Sequence, residues 1–144
     1  MSVAGVQNVQ NARDSAGSLI ALVDDDRDFL EMNRGVLRAA GFQVECYTDA
    51  DAAWAGIRQR RPALVVSDLM MRTLDSGFSL ARRIKEDPQL AGVPVIIVTA
   101  AGATRGFDFT PRTREDLQAM KADAFFDKPV APRDLIAKVQ ELLR

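Results

Sequence analysis

Acidic side chains follow two apolar stretches of this chain, at the point where each stretch ends. Residues 63–66 form a continuous apolar run that leads to Asp68, and Leu19–Val23 runs directly into Asp24, Asp25 and Asp26. Continuous apolar runs of this length are typical of strands buried on both faces of a parallel sheet. Because open α/β sheets bind ligands beyond the carboxyl ends of their strands, we expect these acids to converge on one crevice.

A hydroxyl group and an ammonium group, either of which can bind an anion, follow two later stretches. Residues 93–98 run into Thr99, and residues 123–126 precede Lys128. Taken singly, each of these features has an ordinary interpretation, since three adjacent acids often begin a helix, a lone threonine often caps one, and a lone lysine is usually solvated. The prediction of a site therefore depends on the joint placement of all these groups at strand ends.

Clustered carboxylates repel one another and require a cation, and carboxylate oxygens together with water and a phosphate oxygen suit Mg²⁺. Asp24, Asp25 and Asp68 carry three negative charges, which one Mg²⁺ and Lys128 would balance. Asp68 could then attack phosphorus as a carboxylate nucleophile and form an acyl phosphate. The metal and the lysine would stabilise charge on the transferring oxygens.

Composition indicates one ordinary domain of 144 residues with 19 basic against 20 acidic side chains and a net charge of −1. This balance does not indicate nucleic acid or an anionic membrane as the main partner. The lone Cys46 fits a reducing, cytoplasmic location, and the absence of histidine excludes a histidine base, a histidine metal ligand or an internal phosphohistidine. We expect residues 1–17 to be a flexible tail and residues 18–144 to form the domain.

Strand-like and helix-like patterns alternate five times along the chain. The first helix is predicted from the spacing of Phe29, Met32, Val36 and Ala40, with Gly41 as its C-terminal cap. Predicted strands cover residues 19–23, 42–47, 62–69, 93–98 and 123–126. The second helix is predicted to begin with a capping box of Thr48 and Asp51, and the third helix to cover residues 77–85. The last helix is predicted to begin at Pro132, with Leu135, Val139 and Leu142 facing inward. This alternation predicts an α/β fold with a doubly wound parallel sheet.

Four short motifs, in this order and at these strand ends, resemble the receiver domains of bacterial two-component response regulators. They are Leu22-Val23-Asp24-Asp25-Asp26, Leu64-Val65-Val66-Ser67-Asp68-Leu69-Met70-Met71, Val98-Thr99-Ala100 and Asp127-Lys128-Pro129. The resemblance runs from about Leu19 to Leu143. It implies a flavodoxin-like fold with five helices and five parallel strands in the order 2-1-3-4-5.

The resemblance also implies the ligands of the metal site. Asp68 would be the phosphoryl acceptor, and Asp25, Asp68 and the backbone carbonyl of Met70 would coordinate Mg²⁺ directly. Asp24 would act mainly through a metal-bound water.

The same resemblance implies how phosphorylation is sensed. Thr99 would hydrogen-bond the phosphoryl group, Lys128 would pair with it, and the peptide bond between Lys128 and Pro129 would be cis. Phe125 matches the aromatic position that changes rotamer with Thr99, although its simplest interpretation is as a core residue.

Two segments depart from the family pattern. The loop at residues 72–76 is one residue longer than usual, and residues 102–111 form an insertion between Thr99 and Lys128. The insertion precedes a predicted short helix through Leu117 and Met120. It is either a surface loop packed on the core or a segment whose exposure changes on phosphorylation.

By this resemblance, the chain is expected to be a single-domain response regulator that accepts a phosphoryl group on Asp68 from a histidine kinase or a histidine phosphotransfer protein. Because the chain stops at Arg144, no output domain is expected. Output would pass through contacts with an unknown downstream protein or along a phosphorelay, with no nucleic-acid or membrane partner. The only reactions expected of it are its own phosphotransfer and dephosphorylation.

Two other functions remain open from the residues alone. An aspartyl phosphatase or phosphotransferase would need a second acid two residues after the nucleophile, where Met70 stands. A phosphorylation-independent, receiver-like interaction module would need none of the acid pair, Asp68, Thr99 or Lys128.

Overall fold

A computed structural model of this chain describes residues 17–68, 76–99 and 122–144. The described residues form five parallel strands and four helices. In chain order the elements are β1 (Leu19–Val23), α1 (Arg27–Ala39), β2 (Gln43–Tyr47), α2 (Ala50–Gln59), β3 (Leu64–Asp68), α3 (Ser76–Glu86), β4 (Val95–Thr99), β5 (Ala124–Asp127) and α4 (Pro132–Leu142). The predicted short helix through Leu117 and Met120 and the predicted tail, except for residue 17, lie outside the described residues.

The strands form one sheet in the order β2-β1-β3-β4-β5, and every neighbouring pair is parallel. The strand register aligns the carboxyl ends. Val23 pairs with Ser67, so the residues that follow them, Asp24 and Asp68, lie at the same level of the sheet. The prediction of a doubly wound, flavodoxin-like sheet in this order is confirmed.

Alternate residues of the central strands pack on opposite faces of the sheet. One face, led by Val23, Val65 and Ile97, packs against α2 and α3. The other, led by Leu22 and Val66, packs against α1 and α4. Because both faces are covered, these strands consist of continuous apolar residues, as the sequence predicted.

Helix α1 buries Phe29, as predicted, but its other buried residues differ from the predicted ones. Its buried residues are Phe29, Leu30, Asn33 and Leu37. Met32 was predicted to face inward, but its side chain is 53% exposed. Both stripes have helical spacing, and packing of α1 against β1, β2 and α4 selects the stripe that includes the polar Asn33. The prediction was therefore wrong at Met32.

The N-cap of α2 lies one residue later than the predicted N-cap, Thr48. Asp49 is the N-cap, with an extended backbone, and its Oδ1 accepts a hydrogen bond of 2.7 Å from the backbone N–H of Ala52. The capping box of Thr48 and Asp51 was therefore wrong, because the side chain of Asp49, and not that of Thr48, caps the helix.

The last helix follows the sequence prediction closely. Pro132 lies in its first turn, Leu135 and Val139 are buried, and Leu142 is partly buried. Among the described residues, no helix combines the length and apolarity needed to cross a bilayer.

Candidate functional site

Three carboxylates meet at the carboxyl end of the sheet. Asp68 is the last residue of β3, and Asp24 and Asp25 directly follow β1. One oxygen of each lies within 4.8 Å of one oxygen of the other two. Asp24 and Asp68 are buried, whereas Asp25 is exposed. Such a cluster of oxygen ligands, open to water on one side, suits a hard divalent cation that retains part of its hydration shell, so the donor set fits Mg²⁺.

Lys128 lies directly beside this cluster, just beyond the end of β5. Its Nζ donates a hydrogen bond of 2.7 Å to Asp24 Oδ2 and lies 3.8 Å from Asp68 Oδ2. The lysine side chain is 16% exposed. With three carboxylates and one ammonium, the site has excess negative charge, which a divalent cation would offset.

Opposing effects act on the ionisation of Asp24. Burial raises the pKa of this carboxyl above its usual value, while the hydrogen bond from Lys128 and the backbone N–H of Asp26 lower it. The N–H of Asp26 donates to Asp24 Oδ1 over 2.8 Å. The net direction of the pKa shift is upward, so the fold holds the charged form of Asp24 at some cost.

The third acid of the run has a structural role. Asp26 is the N-cap of α1, and its Oδ1 accepts hydrogen bonds from the backbone N–H groups of Asp28 and Phe29. This satisfies donors that the helix itself leaves unpaired, and it places the helix start next to the site. The helix-start interpretation of the acidic run therefore applies to Asp26, while Asp24 and Asp25 join the cluster.

An aromatic ring that the sequence assigned only to the apolar stripe of the first helix also contacts the site. The Nζ of Lys128 lies over the ring of Phe29, 4.4 Å from its centroid. Phe29 is 8% exposed and belongs to the core between the sheet and α1 and α4. No sequence signal links an aromatic residue in the first turn of α1 to a lysine after the last strand, because the contact depends on the tertiary fold.

The remaining predicted site residues are placed as follows. Thr99 ends β4 and pairs in register with Asp127, which precedes Lys128, but its side chain lies outside the described atoms. Phe125 is partly buried in β5, against the core under α2 and α3. The bond between Lys128 and Pro129 is cis, as predicted. Met70, almost all of the 72–76 loop and the 102–111 insertion lie outside the described residues.

The family model of the response regulator receiver domain matches residues 20–140. Response regulator Rre1 of Synechocystis sp. is 33% identical over 127 residues, which cover 86% of this chain and 51% of the relative. Phosphate regulon transcriptional regulatory protein PhoB of Pseudomonas aeruginosa is 33% identical over 132 residues, which cover 89% of this chain and 52% of the relative. The chain thus spans about half the length of these curated relatives.

Solved structures agree with the sheet topology. A putative response regulator from Chloroflexus aurantiacus superposes with a TM-score of 0.75 at 25% identity, over 88% of this chain and 98% of that one. A CheY-like receiver domain protein from Methanospirillum hungatei superposes with a TM-score of 0.73 at 26% identity, over 88% and 94% of the two chains. The acid cluster and the lysine therefore lie on a sheet of the same architecture as these proteins.

Proposed function

Because this chain belongs to the response regulator receiver domain family, we propose that it is a phosphorylation-activated switch of a two-component system with Asp68 as its phosphoryl acceptor. The observation that carries the proposal is the meeting of Asp24, Asp25 and Asp68 beside Lys128 at one end of the sheet. Asp68 is the member of the cluster that ends the central strand β3, and it is 6% exposed.

The proposed reaction is a phosphoryl transfer to a carboxylate. An oxygen of Asp68 forms a bond to phosphorus while the bond between phosphorus and an imidazole nitrogen of the donor breaks, and the imidazole leaves with the electron pair and takes up a proton. The donor is external, because this chain contains no histidine. A histidine kinase or a histidine phosphotransfer protein would supply the phosphoryl group.

Mg²⁺ would be held by Asp25, Asp68 and the carbonyl of Met70, with Asp24 reached through water. Bound there, the ion would neutralise charge on the carboxylates and on the phosphoryl oxygens. The chain itself holds Asp24 and Asp68 buried at the same level of the sheet. These two carboxylates would therefore need little rearrangement to bind the ion.

Lys128 and Thr99 are proposed to sense the phosphoryl group. Lys128 already lies 3.8 Å from Asp68 Oδ2, within reach of a group attached to that carboxylate. Thr99 ends the neighbouring strand, and Phe125 lies on β5, which pairs with that strand. A shift of Thr99 toward the phosphoryl group, followed by Phe125, would carry the change to the β5 side of the sheet.

The proposed partners are a phosphohistidine donor and a downstream protein recognised by contact, in the cytoplasm. MtrA of Mycobacterium tuberculosis, which is 33% identical over 131 residues, is named a DNA-binding response regulator, and the match covers 53% of it. That name belongs to the whole relative. For this chain, output by protein contacts without nucleic acid remains a prediction that rests on its balanced charge.

Intact mass spectrometry after incubation with Mg²⁺ and acetyl phosphate tests the proposal. We expect the wild type to gain one phosphoryl group and Asp68→Asn to gain none, because an amide is a poor nucleophile of nearly the same shape. Asp134→Asn, a change at an exposed acid in the first turn of α4, serves as the control and should still be labelled.

Two results would contradict this function. Labelling of Asp68→Asn to the same extent as the wild type would assign the phosphoryl group to another residue. Absence of labelling in a folded wild type, with either acetyl phosphate or a phosphohistidine donor, would favour the phosphorylation-independent interaction module.

A further inference from the structure

We propose that Phe29 is a positioning residue for Lys128, whose ammonium group it holds at the phosphorylation site through the face of its ring. The inference rests on the proposed function, since it assigns a role in that same site. It adds a residue from α1 to a set that otherwise comes from the strand ends and the loops that follow them.

The position of the ring is fixed from two directions. The backbone N–H of Phe29 donates to Asp26 Oδ1 over 3.3 Å, which ties the first turn of α1 to the loop that carries Asp24 and Asp25. The ring itself is 8% exposed and packs in the core between the sheet and α1 and α4. Its location is therefore set by the same elements that set the acids.

The contact with Lys128 has the geometry of a cation–π interaction. The Nζ lies 4.4 Å from the ring centroid, well within the distance of about 6 Å at which such interactions are significant. The lysine side chain is only 16% exposed, so water competes weakly for the ammonium. The negative face of the ring then attracts the cation more strongly than it would on an open surface.

A neutral ring suits a lysine that must exchange partners. The Nζ of Lys128 lies 2.7 Å from Asp24 Oδ2 and 3.8 Å from Asp68 Oδ2. The attraction of a ring face varies little with small lateral displacements, and the ring does not neutralise the ammonium. Phe29 can therefore hold the cation near both carboxylates and leave its full charge available to a phosphoryl group on Asp68.

The other explanation of Phe29 is that it simply fills the core. Fluorination separates the two roles, because successive fluorine atoms weaken the negative face of the ring while they change its shape little. We would replace Phe29 with 4-fluoro-, 3,5-difluoro- and 3,4,5-trifluorophenylalanine. Phe42, which is 4% exposed in the same core, would receive the same analogues as the control.

The measured quantity is the rate of phosphorylation by acetyl phosphate with Mg²⁺, followed by intact mass. We expect the rate to fall with each added fluorine at position 29, by roughly 3-fold to 30-fold over the series. Fluorination at position 42 should leave the rate unchanged. In a Lys128→Met background, which removes the cation and keeps an unbranched side chain, the dependence at position 29 should disappear.

A second measurement does not depend on phosphorylation. In the metal-free wild type, the Lys128 ammonium protons should show an upfield ring-current shift in NMR spectra, and Phe29→Leu should abolish that shift. If the wild type gained no phosphoryl group, the proposed function would be overturned, and the ring-current shift alone would decide the role of Phe29.

Two results would show that Phe29 is only a packing residue. One is equal phosphorylation rates across the fluorinated series when the wild type is labelled, and the other is the absence of the ring-current shift.

Discussion

Lys128 forms its short ion pair with Asp24, at 2.7 Å, and lies farther from Asp68, at 3.8 Å. Asp24, which is fully buried, therefore forms the closer ion pair with the lysine, while Asp68, the proposed acceptor, lies farther from it. Because removal of a carboxylate from water disfavours its charge, this pairing offsets part of the cost of placing Asp24 in the fold. The pKa of Asp24 is nevertheless raised, so the charged form of this carboxyl is disfavoured in the fold even beside the lysine.

Asp24→Asn should stabilise the metal-free protein at neutral pH. The pKa of Asp24 is raised above 3.8 by burial, so the folded state holds more protons than the unfolded state just above pH 3.8. Stability is consequently lost as the pH rises from about 3.8 through the raised pKa, and the asparagine variant should not show that loss. Urea denaturation in EDTA at several pH values, followed by the single Trp54, measures it. A variant less stable than the wild type at pH 7 would mean that the ion pair outweighs the burial.

Asp25→Ala should weaken Mg²⁺ binding by roughly tenfold or more, because the affinity of such sites depends on the number of charged ligands. Asp26→Ser is the matched control, since it also removes a negative charge from the run but retains a side chain that can cap α1. Isothermal titration calorimetry compares the two. Equal losses of affinity in both variants would reduce Asp25 to a general electrostatic contribution.

The sheet and the acid cluster could be predicted because their signals are local. Continuous apolar runs that end in acids specify strands buried on both faces, and parallel pairing then brings their carboxyl ends together. The bounds of β1 and the meeting of Asp24 with Asp68 follow from that rule, while the buried pattern of α4 follows from the helical spacing of its apolar residues.

The errors lie where two local solutions are nearly equivalent. Thr48 and Asp49 can both cap a helix, and only the path of the chain out of β2 selects the second. In α1, the stripes through Met32 and through Asn33 have the same period, and polarity favours the wrong one. Phe29 could not be linked to Lys128 from the sequence, because their contact joins the first helix to the residue that follows the last strand.

Gly56→Ala should destabilise the protein by about 1 to 3 kcal/mol, even though alanine is the better helix residue. A Cβ at this position of α2 would lie 2.6 Å from Tyr47 Cε1 and closer still to the tyrosine hydroxyl. Gly35→Ala in α1 is the control, since a Cβ there meets nothing within 4 Å. That change should stabilise the protein by roughly 0.5 to 1 kcal/mol.

A double-mutant cycle identifies the tyrosine as the cause. In a Tyr47→Val background, Gly56→Ala should lose most of its cost, because the ring that it meets is gone. An unchanged cost in that background would place the strain elsewhere along α2.

Tyr47→Phe should remove a loss of stability that the wild type shows in alkaline solution. Burial, together with the hydrogen bond of 2.8 Å that the hydroxyl donates to Glu45, raises the pKa of Tyr47 from 10 to about 12. The folded state therefore holds a proton that the unfolded state releases, and stability falls as the pH rises from 10 to 12. Tyr47 is the only tyrosine, so absorbance at about 295 nm reports its ionisation directly. A midpoint near 10 in the folded protein would refute the raised pKa.

Asn33→Leu should stabilise the protein by about 1 kcal/mol. Asn33 is 1% exposed in α1, and its Nδ2 donates to the carbonyl of Phe29 over 2.9 Å, but its Oδ1 has no hydrogen-bond partner among the described residues. Leucine has a similar branched shape, removes the unsatisfied acceptor and leaves the Phe29 carbonyl its backbone bond within the helix. Asn33→Asp is the contrasting variant, because it places a charge where the unsatisfied oxygen lies, and it should be strongly destabilising. If Asn33→Leu were itself less stable by more than about 1 kcal/mol in chemical denaturation, the asparagine oxygen would have a partner in the native protein that outweighs the apolar gain.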